Sequence, residues 1–149
     1  MVSSMDAPLC GDTVGGIIPL HDAPSVANET LFDDASFPDL APDIHRQRLV
    51  IEGIPAEAVG AAAIVKYLRG LSDCCGMVTL LEPVTHRSEL YGWAGWIHWE
   101  TSGAHFYAWE RPQLFFSVDI YTCKAFDPVD ALTFTSEFFR ASKLVAKEF

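Results

Sequence analysis

Residues 92–99 read Gly92-Trp93-Ala94-Gly95-Trp96-Ile97-His98-Trp99, a glycine-bounded run in which tryptophan recurs every third position. In an extended chain successive side chains point to opposite sides. Trp93, Ile97 and Trp99 therefore share one face and Trp96 and His98 the other, so both faces are large and apolar. Such a strand needs cover twice, by helices of its own chain on one side and by a second layer or a dimer partner on the other.

Working outward, the same reading extends along the chain. His105–Trp109 and Leu114–Thr122 (LFFSVDIYT) are expected strands downstream, rich in aromatic and β-branched residues. Met77–Leu81 and Gln47–Glu52 (QRLVIE) are expected strands upstream. Between the first two, Pro55–Leu71 (PAEAVGAAAIVKYLRGL) reads as a helix, with proline in its first turn and Glu57 at its positive N-terminus. Val59, Ala62, Ala63, Tyr67 and Leu71 fall near one face, and the alanines suggest close packing on a sheet. A second helix starts at Asp127-Pro128 with Asp130 in its first turn and carries an Ala131, Phe134, Phe138, Ala141 stripe. Leu144–Phe149 closes as a strand, and Cys74-Cys75 falls in the loop from helix to strand. The order β-α-β-β-β-β-α-β predicts an α+β two-layer sandwich, a mainly antiparallel sheet with two helices on one face.

Length and composition agree with one domain. The chain has 149 residues, half of them hydrophobic and only 20% charged, enough apolar surface for one core. The net charge of −10 argues against nucleic-acid binding, which needs a basic surface. The acidity is uneven: residues 1–43 hold eight Asp or Glu, no Lys or Arg, and five of the nine prolines. Residues 1–44 therefore read as a flexible acidic extension and residues 45–149 as the domain. No stretch approaches the roughly 18 apolar residues of a membrane span, and no secretory signal pattern opens the chain, so a cytoplasmic protein is expected. Cys10, Cys74, Cys75 and Cys123 form neither a disulfide framework nor a zinc spacing.

The ordered motifs of residues 45–149 resemble the small prokaryotic S-adenosylmethionine decarboxylase proenzyme family. The matches are the RLVIE strand ending in Glu52, the MVTLL strand, and a Tyr91-Gly92-x-x-Gly95 turn. The most specific is Val118-Asp119-Ile120-Tyr121-Thr122-Cys123, followed by Asp127-Pro128 and an alanine-bearing helix. The resemblance implies a precursor that cuts its own backbone before a serine, which becomes a pyruvoyl group that condenses with the substrate amine and acts as electron sink. Counted from the glycines, that serine is Ser102, with Thr101 where the family has glutamate. Cys123 matches the family's proton donor once one extra residue is allowed between Trp109 and Val118. Trp109 matches a family tryptophan, with Glu110 beside it, and Glu52 is the implied ligand-contacting carboxylate.

Two departures fall on the processing residues: Ala94 replaces a serine and Tyr107 a histidine, both of which assist cleavage in the family. His105, two positions earlier, reaches the histidine's space only if the strand shifts. The resemblance thus implies a homodimeric enzyme of polyamine (spermidine) synthesis acting on S-adenosylmethionine, with Ser102, Cys123, His105 and Tyr107 as catalytic candidates and Glu52, Trp109 and Glu110 as substrate contacts. No metal is implied. An unprocessed paralog that binds a nucleotide-like ligand or a partner subunit, and a pyruvoyl decarboxylase of another amino acid, are the competing readings. The aromatic cluster, including Trp93, Trp96 and Trp99, reads mainly as core, with stacking on an adenine or sulfonium as its functional alternative.

Overall fold

A computed structural model describes residues Asp39–Phe149; the expected extension falls outside the described residues as far as residue 38. The elements are β1 (Gln47–Ile54), α1 (Ala61–Cys74), β2 (Thr79–Ser88), β3 (Gly92–Trp99), β4 (Ser102–Trp109), β5 (Phe115–Thr122), α2 (Pro128–Phe139) and β6 (Lys143–Glu148). All six strands form one sheet in the order β2-β3-β4-β5-β1-β6, and every neighbouring pair is antiparallel. The fold is an α+β sandwich of two helices and one antiparallel sheet.

The core lies between sheet and helices. Leu49 and Ile51 of β1, Ile97 and Trp99 of β3, Phe106 of β4 and Val118 and Ile120 of β5 are buried there. From α1 they meet Ile64, Tyr67, Leu68 and Leu71. Gly95 lets the helix approach: a Cβ there would stand 2.6 Å from Ile64 Cγ2. Two buried polar side chains find partners inside this layer, Trp99 Nε1 donating to Ser72 Oγ at 2.7 Å and the Tyr67 hydroxyl lying 2.8 Å from Thr135 Oγ1. Burial pushes the Tyr67 phenol well above its ordinary value.

Several expected boundaries move. The first helix starts at Ala61, not at Pro55. Residues 55–60 are instead tied to the end of α2: Ala56 N–H donates to the Phe139 carbonyl at 3.1 Å, and Glu57 pairs with Arg140 rather than with a helix N-terminus. The buried stripe of α1 runs through Ile64, Tyr67, Leu68, Leu71 and Ser72, while Ala62 faces solvent. In α2, capped by Asp127 accepting from Val129 N–H at 2.8 Å, the innermost residues are Ala131, Thr135 and Phe139. Phe134 and Phe138 pack around Tyr67 at their edge, with Phe134 also over Gly70. β2 is longer than expected and runs to Ser88; Pro83 and the charges of Glu82 and Arg87 disguise an edge strand whose register slips twice. β4 begins three residues early, at Ser102. The vicinal cysteines end α1, with Cys75 buried against the core and its thiol pushed up to about 12, chiefly by desolvation.

Among the described residues, the other face of the sheet carries no helix. Trp96 and His98 stand on it, as the alternation of β3 requires. Successive rungs cross four strands: His98, Gly103, Tyr121 and Arg48; then Trp96, His105, Asp119 and Val50; then Ala94, Tyr107, Ser117 and Glu52. Leu81, Val84, Tyr107, Tyr121 and Val145 leave large apolar area exposed.

Candidate active site

The turn from β3 to β4 passes through Glu100 and Thr101, leaving Ser102 paired with Trp99 on one side and Thr122 on the other. Ser102 has φ +129°, a region costing a side-chain-bearing residue about 1–3 kcal/mol and held only when neighbours enforce it. Pairing to two strands supplies that enforcement. The Ser102 hydroxyl lies 3.7 Å from the Cys123 thiol. The carbonyl of Thr101, on the peptide bond preceding Ser102, accepts the Cys123 backbone N–H at 2.9 Å. One residue at the end of β5 thus places a thiol beside the hydroxyl and an amide on the adjacent carbonyl.

The Thr101 side chain points into the interior. Its oxygen accepts from Thr122 Oγ1 at 3.2 Å, and its hydroxyl reaches Met77 Sδ at 3.6 Å. Thr122 Oγ1 in turn accepts from the Lys124 N–H at 3.0 Å. The peptide before Ser102 is therefore anchored on both sides of its carbonyl. A hydroxyl next to a carbonyl polarised by an N–H is the arrangement an acyl shift requires, because the donor stabilises negative charge as it develops on oxygen.

Beside this turn the open face holds a cavity of about 590 Å³, within the range of small-molecule sites. Ser102, Trp96, His98, His105, Asp119 and Tyr121 are among its lining residues. Arg48 clamps Asp119 with two bonds, Nε to Oδ1 at 2.9 Å and Nη2 to Oδ2 at 2.7 Å. The hydrogen bond first, and the charge second, raise the Arg48 pKa.

The sequence candidates separate into three groups. Ser102 and Cys123 are in contact, and His105 lines the same cavity as Ser102. His105 needs no strand shift to share the face of Tyr107: the two stand on that face one rung apart, with His105 the nearer to Ser102. Tyr107 and Glu52 lie a rung farther on, both partners of Ser117, and Tyr107 is five residues, about 17 Å, from Ser102 along β4. Glu52 lines a separate cavity of about 190 Å³ with Phe115 and Lys143. Trp109 and Glu110 sit at the opposite end of β4, Trp109 packed against Phe115, Tyr107 and Tyr91 and Glu110 3.6 Å from Arg87. Within one chain these groups do not converge.

Arg48 and His98 were not offered as ligand contacts by sequence reasoning, and Trp96 and Tyr121 entered it only within an aromatic cluster read mainly as core, with stacking on an adenine or sulfonium as the alternative. Alternation places Arg48 on the same face as Glu52, and Asp119 on the same face as Tyr121. Which strands lie side by side is a long-range fact that alternation does not carry.

A profile of the S-adenosylmethionine decarboxylase family matches residues 51–149, a span that includes both helices, Ser102 and Cys123. No curated protein matches the chain. The crystal structure of the adenosylmethionine decarboxylase from Aquifex aeolicus shares the fold, with a TM-score of 0.59, 13% sequence identity, and coverage of 71% of this chain and 89% of that one. At that identity the likeness speaks for the fold alone, and the family is carried by the profile, which spans well over half of the sequence. The chain belongs to the S-adenosylmethionine decarboxylase family.

Proposed function

We propose that this protein is a self-cleaving, pyruvoyl-dependent decarboxylase of S-adenosylmethionine, acting in polyamine (spermidine) synthesis in the cytoplasm as a homodimer. The observation that carries the reading is the contact of Cys123 with both halves of the Thr101–Ser102 unit, thiol to hydroxyl and amide to carbonyl. The Ser102 hydroxyl oxygen attacks the Thr101 carbonyl carbon, and its proton is relayed to the departing Ser102 nitrogen through the Cys123 thiol, which gives up its own proton as it takes this one. The Cys123 N–H takes the developing charge on the carbonyl oxygen. The C–N bond then breaks and the acyl group moves from nitrogen to oxygen, relieving the strained φ of Ser102. Loss of the Thr101 carboxylate by β-elimination, followed by addition of water and release of ammonia, leaves the new N-terminus as a pyruvoyl group.

The residues present fit that group: a serine at a tight, strained turn, open to a cavity, with a thiol within reach. When formed, the pyruvoyl carbonyl supplies an electron sink for loss of carbon dioxide from an amino acid. Cys123 then acts as proton donor to the decarboxylated carbon. His105 and Asp119 line the space a substrate occupies, and the open sheet face receives the second protomer.

A second reading is favoured by one row of the sheet. Ala94 and Tyr107, the two positions where the family carries its cleavage-assisting serine and histidine, are direct cross-strand partners here. Losing both together suits an unprocessed paralog that binds ligand or a processing-competent partner. Intact mass spectrometry of the purified full chain, repeated after reductive trapping of carbonyls with an amine, decides between them. Two fragments meeting between Thr101 and Ser102, the second carrying a trapped carbonyl, are expected. A single chain that stays uncut on long incubation overturns the pyruvoyl reading in favour of the paralog.

A further inference from the structure

Two hydroxyl side chains adjoin on the turn into β4, and their surroundings differ. The Ser102 hydroxyl lines the cavity and has the Cys123 thiol as its neighbour at 3.7 Å. The Thr101 hydroxyl is committed twice in the opposite direction, giving its proton to Met77 Sδ at 3.6 Å and accepting from Thr122 Oγ1 at 3.2 Å. Met77 is buried, and Thr122 is fully so. Thr122 Oγ1 also lies 3.9 Å from Met77 Sδ, so one sulfur and two hydroxyls form a closed triangle beneath the turn.

The triangle stands on fixed ground. Met77 belongs to the segment joining α1 to β2, which is held under the turn by Met77 N–H donating to the Ser72 carbonyl at 2.8 Å and Glu100 N–H to the Val78 carbonyl at 2.9 Å. Lys124, next to Cys123, adds a bond from its Nζ to the Gly76 carbonyl, and its backbone N–H donates to Thr122 Oγ1 at 3.0 Å. The residues before and after the turn are thus tied to one short stretch of chain. Because χ1 of threonine is stiff, seating Oγ1 orients the Thr101 backbone, whose carbonyl meets the Cys123 N–H at 2.9 Å. A glutamate fits this seat badly: at neutral pH it has no proton to give the sulfur, and burying its charge against a thioether is costly.

We propose that Thr101 is a positioning residue for self-cleavage, its side chain seated by Met77 and Thr122 so that the Thr101–Ser102 carbonyl is turned toward the Cys123 N–H. This deepens the pyruvoyl reading and rests on it, because it concerns how the precursor presents the bond which that reading cuts. The Thr101 hydroxyl takes no part in making or breaking bonds. Met77 acts through it, from the opposite side of the sheet to the cavity.

The test makes full-length chains by cell-free translation and follows cutting by intact mass after translation is stopped, with urea unfolding of each variant to confirm the fold. Thr101→Val, which keeps the shape and removes the hydroxyl, is expected to slow cutting about 10-fold, the scale of one hydrogen bond. Thr101→Ser, which restores the hydroxyl, is expected to recover most of that rate. Thr101→Glu, although it returns the residue type of the family, is expected to be at least as slow as Thr101→Val. Met77→Leu, a swap of similar volume, is expected to slow cutting to a similar degree. Joining it to Thr101→Val should add no more than about 2-fold, since both remove one contact. Hydroxylamine, which splits the ester formed by the acyl shift, should leave the slowed variants slow, because their defect precedes the ester. Folded Thr101→Val or Thr101→Glu cutting as fast as the parent, independent losses in the double variant, or rescue by hydroxylamine overturns the assignment. The two failures remain distinct: a parent that cuts no faster than its variants loses the seat and keeps the pyruvoyl chemistry, whereas a parent that never cuts removes both.

Discussion

Toward the helices the central strands present Ile97, Trp99, Phe106, Val118 and Ile120, all buried; one residue out of phase, the same strands present Trp96, His98, His105, Asp119 and Tyr121 to a cavity. The first set is chosen for shape and volume, and its few polar atoms, such as Trp99 Nε1, are each paired. The second set mixes rings, imidazoles and a clamped ion pair, groups that pack poorly and recognise well. A sheet this thin keeps the two jobs apart by alternation alone, so a one-residue slip would put His105 into the core and Phe106 into solvent. Ser102 sits where the phases meet: its pairing partners Trp99 and Thr122 are buried, yet it also lines the open cavity.

The largest effect expected from breaking this contrast is at that junction. Ser102→Ala removes the attacking oxygen, so backbone cleavage and the trapped carbonyl should both vanish in intact mass spectra while the urea midpoint stays near that of the uncut parent. Next comes a matched pair across the two phases of β4. Phe106→Ala empties a fully buried ring site and is expected to cost about 3–5 kcal/mol by urea unfolding. Tyr107→Ala, on the exposed neighbour, should cost less than about 1 kcal/mol. Equal losses would mean that the open face is as firmly packed as the core.

Restoring the altered row sharpens the same comparison. Ala94→Ser with Tyr107→His returns the residue types that the family resemblance associates with cleavage, and an added acid–base pair is worth on the order of 10²-fold in rate. Since position 107 is about 17 Å along the strand from Ser102, one chain gains nothing from its own pair. The faster cleavage is therefore expected only at concentrations where two copies meet through their open faces, as read by a cleavage rate that rises with protein concentration. A gain independent of concentration would contradict assembly through that face.

Much of this architecture was legible because strands and helices here are written in local chemistry. β3 is glycine-bounded and tryptophan-rich, β5 is a run of β-branched and aromatic residues, and α2 carries its own Asp-Pro start. What failed locally was decided at long range. Pro55 and Glu57 look like a helix start but belong to a segment held by Phe139 and Arg140, more than 80 residues away. β2 hides behind a proline because an edge strand has only one neighbour to satisfy. The site shows the same division. Ser102 and Cys123 were legible through an ordered motif, whereas the cavity around them depends on β1 lying beside β5, a pairing that brings Arg48 to Asp119 across 71 residues.

The buried face also makes a prediction about pH that the open face does not. Tyr67 and Cys75 are both held neutral by burial, with folded pKa values above the unfolded ones. Their contribution to stability is complete below the ordinary thiol and phenol values of 9.0 and 10.0 and is lost as pH rises through the folded values, about 12 for Cys75. Urea midpoints should therefore be level through neutral pH and fall progressively above about pH 9. Tyr67→Phe, which has no proton to lose, should flatten part of that fall; an unchanged slope would assign the alkaline loss elsewhere.

The smallest expected effect belongs to the clamp. Arg48 and Asp119 are both partly exposed, so their two short bonds are screened by water and an exposed pair of this kind is worth about 0.2–1 kcal/mol. Arg48→Ala should thus leave urea stability almost untouched. Its consequence is expected in recognition: freed from two bonds, Asp119 loses its fixed direction in the cavity, and calorimetric binding of S-adenosylmethionine to the Ser102→Ala chain should weaken. A stability loss of several kcal/mol would mean that the pair holds β1 against β5, making it part of the fold. A small stability loss with weakened binding would separate the two faces at one residue, since Arg48 lies between the buried Gln47 and Leu49 on β1 while its own side chain serves the cavity.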